Sequence, residues 1–205
     1  KDPGYYLYHC HFNTAVHIDH GMYGLLVIED PAWPKADHEV ITFWDEWDLD
    51  GDGEEDAHTI NSRSAPATRP ITVHAGQSVR LVLINMGWDV HTPHIHGQTW
   101  NVLDTGNLRT VLASNRNGVV SIAPAEIKIV EFIPRHEGTW LFHCHVVPHV
   151  ADDGAYPRGM LTVLAVEPPP RSQADVGPPL ASGGEMPTPD RKSTRLNSSH
   201  SSVSR

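Results

Sequence analysis

The sequence predicts an all-β fold, a Greek-key β-sandwich of short strands that is followed by a disordered tail. Three observations lead to this prediction. β-branched and aromatic residues recur in short runs, turn signals such as Asn117-Gly118 separate the runs, and no amphipathic stretch of about 12 residues fits a helix. The apolar fraction of 39% is large enough for a buried core.

The expected strands follow one another along the chain. Five runs have the composition of strands: 39–47, 70–74, 78–85, 127–133 and 139–145. Within 127–133 apolar and polar residues partly alternate, as they do when a strand has one buried face. Short strands separated by turns in this way are typical of an antiparallel sandwich.

An internal repeat divides the chain. Residues 4–11, GYYLYHCH, match residues 138–145, GTWLFHCH, at an offset of 134 residues (138 minus 4), and each copy is followed by Gly-Met and an apolar strand. A repeat of this length indicates a duplicated domain. We therefore expect three parts: the end of one domain at 1–34, a complete domain at 35–168, and a tail at 169–205. The chain is expected to be a fragment, with any signal peptide lying before Lys1.

The predicted tail differs from the rest in composition. After Glu167 the chain is rich in Pro, Gly and Ser and nearly without aromatic residues. Such a segment cannot bury enough apolar surface to offset the entropy of folding, so we expect it to be disordered. We assign no function to its last 15 residues.

Charge and hydropathy exclude several kinds of partner. The net charge is −10, and an acidic protein is repelled by nucleic acids and by anionic membranes. No apolar run approaches the roughly 20 residues that a membrane-spanning helix needs. Histidine is unusually frequent, with 15 residues, and both cysteines stand between two histidines. A disulfide could join them, but a disulfide does not require flanking histidines.

Cys144 and its neighbours predict a strand that binds metal on both faces. Side chains alternate along a strand, so Cys144 faces one way while His143 and His145 face the other. A thiolate at one centre and two imidazoles at another are then joined by a short covalent path, which suits electron transfer. His149 can turn back to the cysteine once the strand ends. Thiolate, imidazoles and a weak thioether are the ligands of a blue copper site.

A second histidine cluster, HTPHIHG at residues 91–97, supplies further imidazoles. His94 and His96 share one face of an extended segment, whereas Pro93 leaves His91 free to point elsewhere. The alternative interpretation is structural zinc, or core histidines bonded to the backbone. Zinc prefers closed tetrahedral sites, which a strand with ligands on both faces does not form.

These motifs resemble one family. HTPHIHG, then HCHVVPH and Gly159-Met160, together with RPITVHAGQSVRLVLINMG, resemble the last cupredoxin domain of the multicopper oxidases, a laccase-like family, over about residues 1–167. The resemblance implies one-electron oxidation of a phenol, aromatic amine or metal ion at a type 1 copper, coupled to four-electron reduction of O2 to water at a trinuclear copper cluster. It also implies an extracellular or periplasmic location and, for a two-domain enzyme, a homotrimer.

The resemblance also implies a set of copper ligands. The type 1 ligands would be His91, Cys144 and His149, with Met160 in the axial position. His94 would bind the type 2 copper. The type 3 pair would be bound by His96, His143, His145, His9 and His11, and electrons would pass from Cys144 to His143 and His145. The family's trinuclear cluster uses eight histidines and this chain offers six, so the chain alone is expected to lack two.

Two departures from the family pattern affect this ligand set. Met160 lies 16 residues after Cys144 (160 minus 144), because ADDGAYPR intervenes; we expect that insertion to loop out. Cys10, His17 and Met22 resemble a second type 1 set. The alternative is that Cys10 is a relic beside a type 3 pair.

Other functions stay open at this point. A copper nitrite reductase pairs a type 1 with a type 2 copper. It is disfavoured because Cys144 has a histidine on each side, and these histidines provide the type 3 ligands that such enzymes lack. A copper-binding module without turnover is the third possibility. The run Asp48 to Asp56 resembles the start of a calcium loop, but its twelfth position is Thr59 rather than glutamate, so a hairpin turn is favoured. Asp45 or Glu46 could relay protons, and His58 is interpreted as a surface residue.

Overall fold

The structure is a computed structural model that describes residues 2–152 and 154–169. These residues belong to one compact unit spanning residues 1–170. Apart from residue 169, the predicted disordered tail lies outside the described residues.

The regular secondary structure of the described residues is almost entirely β-strand, which confirms the predicted fold class. The strands are β1 (Gly4–His9), β2 (Tyr23–Ile28), β3 (His38–Trp47), β4 (Ala57–Ile60), β5 (Ile71–His74), β6 (Val79–Asn85), β7 (Pro93–Ile95), β8 (Trp100–Asp104), β9 (Asn107–Asn115), β10 (Ile127–Phe132), β11 (Gly138–Cys144) and β12 (Leu161–Glu167). A short helix, α1 (Thr14–Asp19), joins β1 to β2, and a 3₁₀ turn (Val147–Val150) follows β11.

The strands form three sheets. A six-stranded sheet has the order β4-β3-β6-β10-β8-β9, a four-stranded sheet has the order β5-β12-β11-β7, and β1 pairs with β2 alone. Most pairs are antiparallel, as expected, but β3 pairs with β6 and β5 with β12 in parallel. Parallel neighbours arise because the connections cross between the two large sheets, which brings distant segments side by side.

The five strands expected from composition all form, and each agrees within one residue at either end with β3, β5, β6, β10 or β11. Four further strands, β4, β7, β8 and β9, were not predicted. Three of them have five residues or fewer, and β9 lies at the edge of its sheet with mostly exposed side chains.

Two cores lie on opposite faces of the six-stranded sheet. Its inner face packs against the four-stranded sheet through residues such as Trp44, Leu83 and Phe142. Its outer face packs against the β1–β2 hairpin, where Val82 and Ile84 belong to a second buried cluster. Every residue of β6 is therefore buried. Because side chains alternate along β3 as well, its consecutive acidic residues Asp45 and Glu46 face opposite cores.

Candidate copper centres

The first candidate centre lies around Cys144, at the end of β11. The Cys144 Sγ is 3.6 Å from Nδ1 of His149, and that nitrogen is 3.2 Å from Nδ1 of His91. All three side chains are buried, and their donor atoms lie within 4.8 Å of one another. One sulfur and two imidazole nitrogens that converge in a dry pocket fit a copper ion of the blue type.

Backbone hydrogen bonds hold these residues in place. The Cys144 N–H donates to the Met160 carbonyl at 2.9 Å, and the Met160 N–H donates to the His149 carbonyl at 2.8 Å. The His91 N–H donates to Ile122 at 3.1 Å, and the Thr92 N–H donates to Cys144 Sγ at 3.4 Å. The thiol is thus positioned by its neighbours before any metal binds.

Met160 is fully buried and belongs to the same core cluster as Cys144. In the described part of the preceding insertion, all five residues from 154 to 158 are exposed, so the insertion does loop out. Gly159 closes the loop with a φ of +65°, and a Cβ there would lie 2.2 Å from the His149 carbonyl oxygen. Only glycine allows the chain to return so closely to His149.

The environment favours the thiolate form of Cys144. Burial raises the pKa of this thiol, but hydrogen bonds with His149 and His91 outweigh burial and lower the pKa to about 5. Burial by itself lowers the pKa of His91, but the contacts of its ring with the Cys144 thiol and the Glu46 carboxylate raise it to about 9. The thiolate is the form of cysteine that binds metals.

The second candidate centre is a group of four imidazoles on the opposite face of β11. Nε2 of His96 lies 3.0 Å from Nε2 of His143. The ring of His94 lies 5.0 to 5.5 Å from the rings of the other three members: His96, His143 and His145. Donor atoms of His94, His96 and His143 lie within 4.8 Å of one another.

The surroundings of two of the four imidazoles, His94 and His143, favour the neutral form of the ring. Burial and the proximity of the other histidines lower the pKa of His94 and of His143. The ring Nδ1 of His94 lies 2.9 Å from the Gly118 carbonyl, and that of His143 lies 2.7 Å from the Cys144 carbonyl. If each Nδ1–H donates to its carbonyl, Nε2 carries the lone pair that a metal needs.

The histidines of the first repeat lie elsewhere in the chain. The rings of His9 and His11 stack on each other with centroids 4.6 Å apart, and the structure does not bring them to the four-imidazole group. Cys10 Sγ lies 3.0 Å from Nδ1 of His17. Met22, the third member of the expected second type 1 set, has a side chain that is 51% exposed.

Three residues beside the first centre were not predicted as parts of it. Glu46 Oε1 lies 3.2 Å from Nε2 of His91, and Asp89 Oδ2 lies 3.4 Å from Nε2 of His149. The ring of His58 stacks on that of His149, with centroids 4.6 Å apart and planes 20° apart. The interpretation of His58 as an ordinary surface residue is therefore wrong. It comes from β4, so no spacing in the sequence links it to His149.

Two other acidic features of the sequence have structural explanations. Asp45 accepts a hydrogen bond from the Tyr23 hydroxyl at 2.6 Å, within the outer core. The acidic run after β3 forms the β3–β4 hairpin loop, in which Asp48 accepts hydrogen bonds from the amides of Gly51 and Gly53. The predicted hairpin turn is thus confirmed.

A buried thiol that meets two imidazoles at the end of a sandwich strand is typical of the cupredoxin class of copper-binding domains. The chain belongs to the multicopper oxidase family, whose model matches residues 45–169. Human ceruloplasmin is 31% identical over 147 residues, and hephaestin from Mus musculus is 35% identical over 111 residues. The blue copper oxidase of Nitrosomonas europaea superposes with a TM-score of 0.72 at 29% identity, covering 81% of this chain and 57% of that one.

The matched segments are small parts of the larger relatives. The matches cover 68% of this chain but 13% of ceruloplasmin, and 53% of this chain but 8% of hephaestin. Within the described residues, the structure contains no helix with the length and hydropathy needed to cross a membrane.

Proposed function

We propose that this chain carries the type 1 copper site and part of the trinuclear site of a multicopper oxidase. The proposed reaction couples one-electron oxidation of a small reductant to reduction of O2 to water. The observation that carries the proposal is the strand end at residues 143–145, with a buried thiol on one face and imidazoles on the other. Copper bound at the two centres would supply the one-electron and dioxygen chemistry.

The ligand roles follow the two groups in the structure. The proposed type 1 ligands are His91, Cys144, His149 and Met160. The proposed type 2 ligand is His94, and the proposed type 3 ligands in the group are His96, His143 and His145. His9 and His11 lie apart from this group, so as type 3 ligands they would serve a cluster formed with another polypeptide surface. Nothing in the comparisons supports the expected homotrimer.

The chain offers two short routes between the centres. Covalent bonds lead from Cys144 Sγ through the backbone to His143 and to His145. A second route passes from the Cys144 carbonyl to Nδ1 of His143, 2.7 Å away. Both routes run through rigid, hydrogen-bonded structure, and the burial of Cys144 keeps water from the thiolate. These residues therefore both hold the centres and connect them.

The surroundings of the first centre favour a positively charged reductant. His149 is 4% exposed, and the carboxylate at its Nε2, Asp89, has a side chain that is 61% exposed. A cavity beside Trp88 is lined by four more acidic residues: Asp19, Asp48, Glu54 and Glu55. Negative charge in a cleft concentrates cations, so an aromatic amine cation or a metal cation is proposed ahead of a neutral phenol. An extracellular or periplasmic location is proposed with this function.

The second candidate, a copper nitrite reductase, requires a single type 2 copper beside the type 1 copper and no type 3 pair. The four-imidazole group, with two members flanking Cys144, favours the oxidase. The experiment uses copper-loaded protein that also contains the segment supplying the two remaining cluster histidines. It compares oxygen uptake with an aromatic amine, a phenol and ferrous ion against nitric oxide release from nitrite. Nitrite reduction without oxygen uptake would exclude the proposal, and copper binding without either reaction would leave a binding module.

The type 1 assignment is tested with two matched substitutions in the copper-loaded protein. Cys144→Ser is expected to abolish the blue absorption band, because the thiolate that generates it is lost, whereas Cys10→Ser is expected to preserve most of it. Loss of the band in Cys10→Ser alone would move the type 1 site to the first repeat.

A further inference from the structure

We infer that Glu46 is a positioning residue for the proposed type 1 centre: its buried carboxylate orients His91 and lowers the reduction potential of the centre. The inference deepens the proposed function and rests on it, because it takes His91 to be a copper ligand. Glu46 lies on β3, whereas the four proposed type 1 ligands come from the segments around β7, β11 and β12.

The first argument is that two buried polar atoms, one on Glu46 and one on His91, have no candidate hydrogen-bond partner among the described residues except each other. Oε1 of Glu46 and Nε2 of His91 are 3.2 Å apart, and both side chains are 0% exposed. The ring N–H is not aimed closely enough to form a hydrogen bond, and within the described residues neither atom has any other hydrogen-bond partner. A buried polar atom without a partner is costly, so a small rotation of the ring that aligns the two atoms is favourable.

The second argument is that the surrounding chain is shaped around this carboxylate. The Trp88 N–H donates to Oε2 of Glu46 at 3.1 Å. A Cβ at Gly87 would lie 1.5 Å from the same oxygen, so the absence of a side chain at Gly87 makes room for it. Asn85 holds the loop in turn, because its Oδ1 accepts from the Gly87 N–H at 2.8 Å and its Nδ2 donates to the Asp89 carbonyl.

The third argument is the contrast between the two imidazoles of the centre. Both turn Nδ1 toward the thiol side, and each has a carboxylate at Nε2. The carboxylate of Asp89 is 61% exposed, so water screens its charge, whereas that of Glu46 is fully buried. A charge acts more strongly where water is excluded. Glu46 is therefore the carboxylate that sets the electrostatics of the centre.

Two consequences follow for the metal centre. If the His91 Nε2–H donates to Glu46, the lone pair is fixed on Nδ1, the atom that faces the thiol. A buried negative charge near the centre also stabilises the more positive, oxidised state of the metal over the reduced state. Removing the charge is therefore expected to raise the reduction potential, while removing the acceptor oxygen is expected to release the ring.

Two substitutions at Glu46 separate these effects. Glu46→Gln removes the charge but keeps an acceptor oxygen, so we expect a higher reduction potential of the blue centre with an almost unchanged absorption band. Glu46→Leu removes both, so we expect the same rise together with a broadened or weakened band. Glu137→Gln, at an exposed glutamate in the connection between β10 and β11, is the matched control and should change neither property. A purely structural role for Glu46 would lower the melting temperature without raising the potential of Glu46→Gln.

A glycine substitution tests the same geometry without touching the carboxylate. Gly87→Ala is expected to displace the Glu46 side chain and to shift the reduction potential in the same direction as Glu46→Gln. Gly106→Ala is the control, because a Cβ there meets its nearest atom, Oδ1 of Asp104, at 3.4 Å. An unchanged potential in Gly87→Ala and Glu46→Gln, measured in protein that is blue, would overturn the inference.

A measurement on metal-free protein is independent of the proposed function. The His91 Nε2–H should give a proton NMR signal that exchanges slowly with water in the wild type and in Glu46→Gln, and rapidly in Glu46→Leu. Rapid exchange in the wild type would count against the contact itself. If the wild type fails to turn blue with copper but keeps the slow signal, the proposed function fails while the Glu46 contact stands.

Discussion

Replacing Asp45 with asparagine is expected to stabilise the protein at alkaline pH. Asp45 is 1% exposed on the outer face of β3, and its Oδ2 accepts the Tyr23 hydroxyl hydrogen at 2.6 Å. Burial raises the pKa of this carboxyl from 3.8 to about 7, against the opposing effect of the Tyr23 hydrogen bond. The folded protein therefore carries an ionised group at pH 8 in a place that disfavours ionisation.

The sign of the pH dependence follows from the two pKa values. Between pH 4 and pH 7 the folded state retains a proton that the unfolded state releases, so the free energy of unfolding falls as the pH rises through this window. Above pH 7 the loss is complete. The difference between 3.8 and about 7 corresponds to about 4 kcal/mol at about 1.4 kcal/mol per pKa unit. Asparagine has no charge to bury and still offers an acceptor to Tyr23.

The assay is urea unfolding of the metal-free chain from pH 4 to pH 8. The stability difference between Asp45→Asn and the wild type should grow from under about 1 kcal/mol at pH 4 to about 4 kcal/mol at pH 8. Asp2→Asn, at an exposed residue near the amino terminus, should show no such trend. A difference that does not change with pH would refute the reasoning, because it would mean that Asp45 ionises equally easily in both states.

Two further substitutions test contacts around the proposed centres. His58→Ala removes the ring that stacks on His149 and shields it, so kcat/KM should rise more for bulky reductants than for small ones. His58→Phe keeps a ring there and should keep the wild-type ratio of the two kcat/KM values. Equal effects of both variants in steady-state kinetics would contradict a shielding role. Gly97→Ala places a Cβ 2.5 Å from the Trp140 ring at a φ of +66°, so thermal unfolding should show a loss of about 1–3 kcal/mol. An unchanged melting temperature would show that Trp140 moves aside freely.

The sequence predicted those parts of the molecule that depend on local alternation. Cys144 and His143 face opposite sides of the sheet because side chains alternate along a strand, and the sequence predicted this. The long apolar runs predicted the ends of their strands to within one residue. Short or exposed strands such as β7 and β9 were not predicted, because too few of their residues show an apolar or alternating pattern. Glycine at 159 and an exposed 154–158 explain why an insertion before Met160 leaves that residue buried.

Contacts between residues of distant strands could not be predicted from the sequence. Glu46 reaches His91 because β3 and β6 pair in parallel, and the sequence did not indicate that pairing. His58 reaches His149 only because the β3–β4 hairpin folds next to the 3₁₀ turn. Likewise, Asp45 and Tyr23 meet where the β1–β2 hairpin covers the outer face. Each of these depends on tertiary packing, which local patterns do not encode.

An equivalent backbone hydrogen bond is present in both copies of the repeat. The cysteine N–H donates to the methionine carbonyl, at 3.0 Å for Cys10 and Met22 and at 2.9 Å for Cys144 and Met160. The intervening stretch is four residues longer in the second copy (15 residues against 11). A hydrogen bond between the two ends of the stretch can form whether the stretch is shorter or longer. The segment next to His149 can thus change in length and in its exposed residues while the positions of Cys144 and Met160 relative to each other are kept.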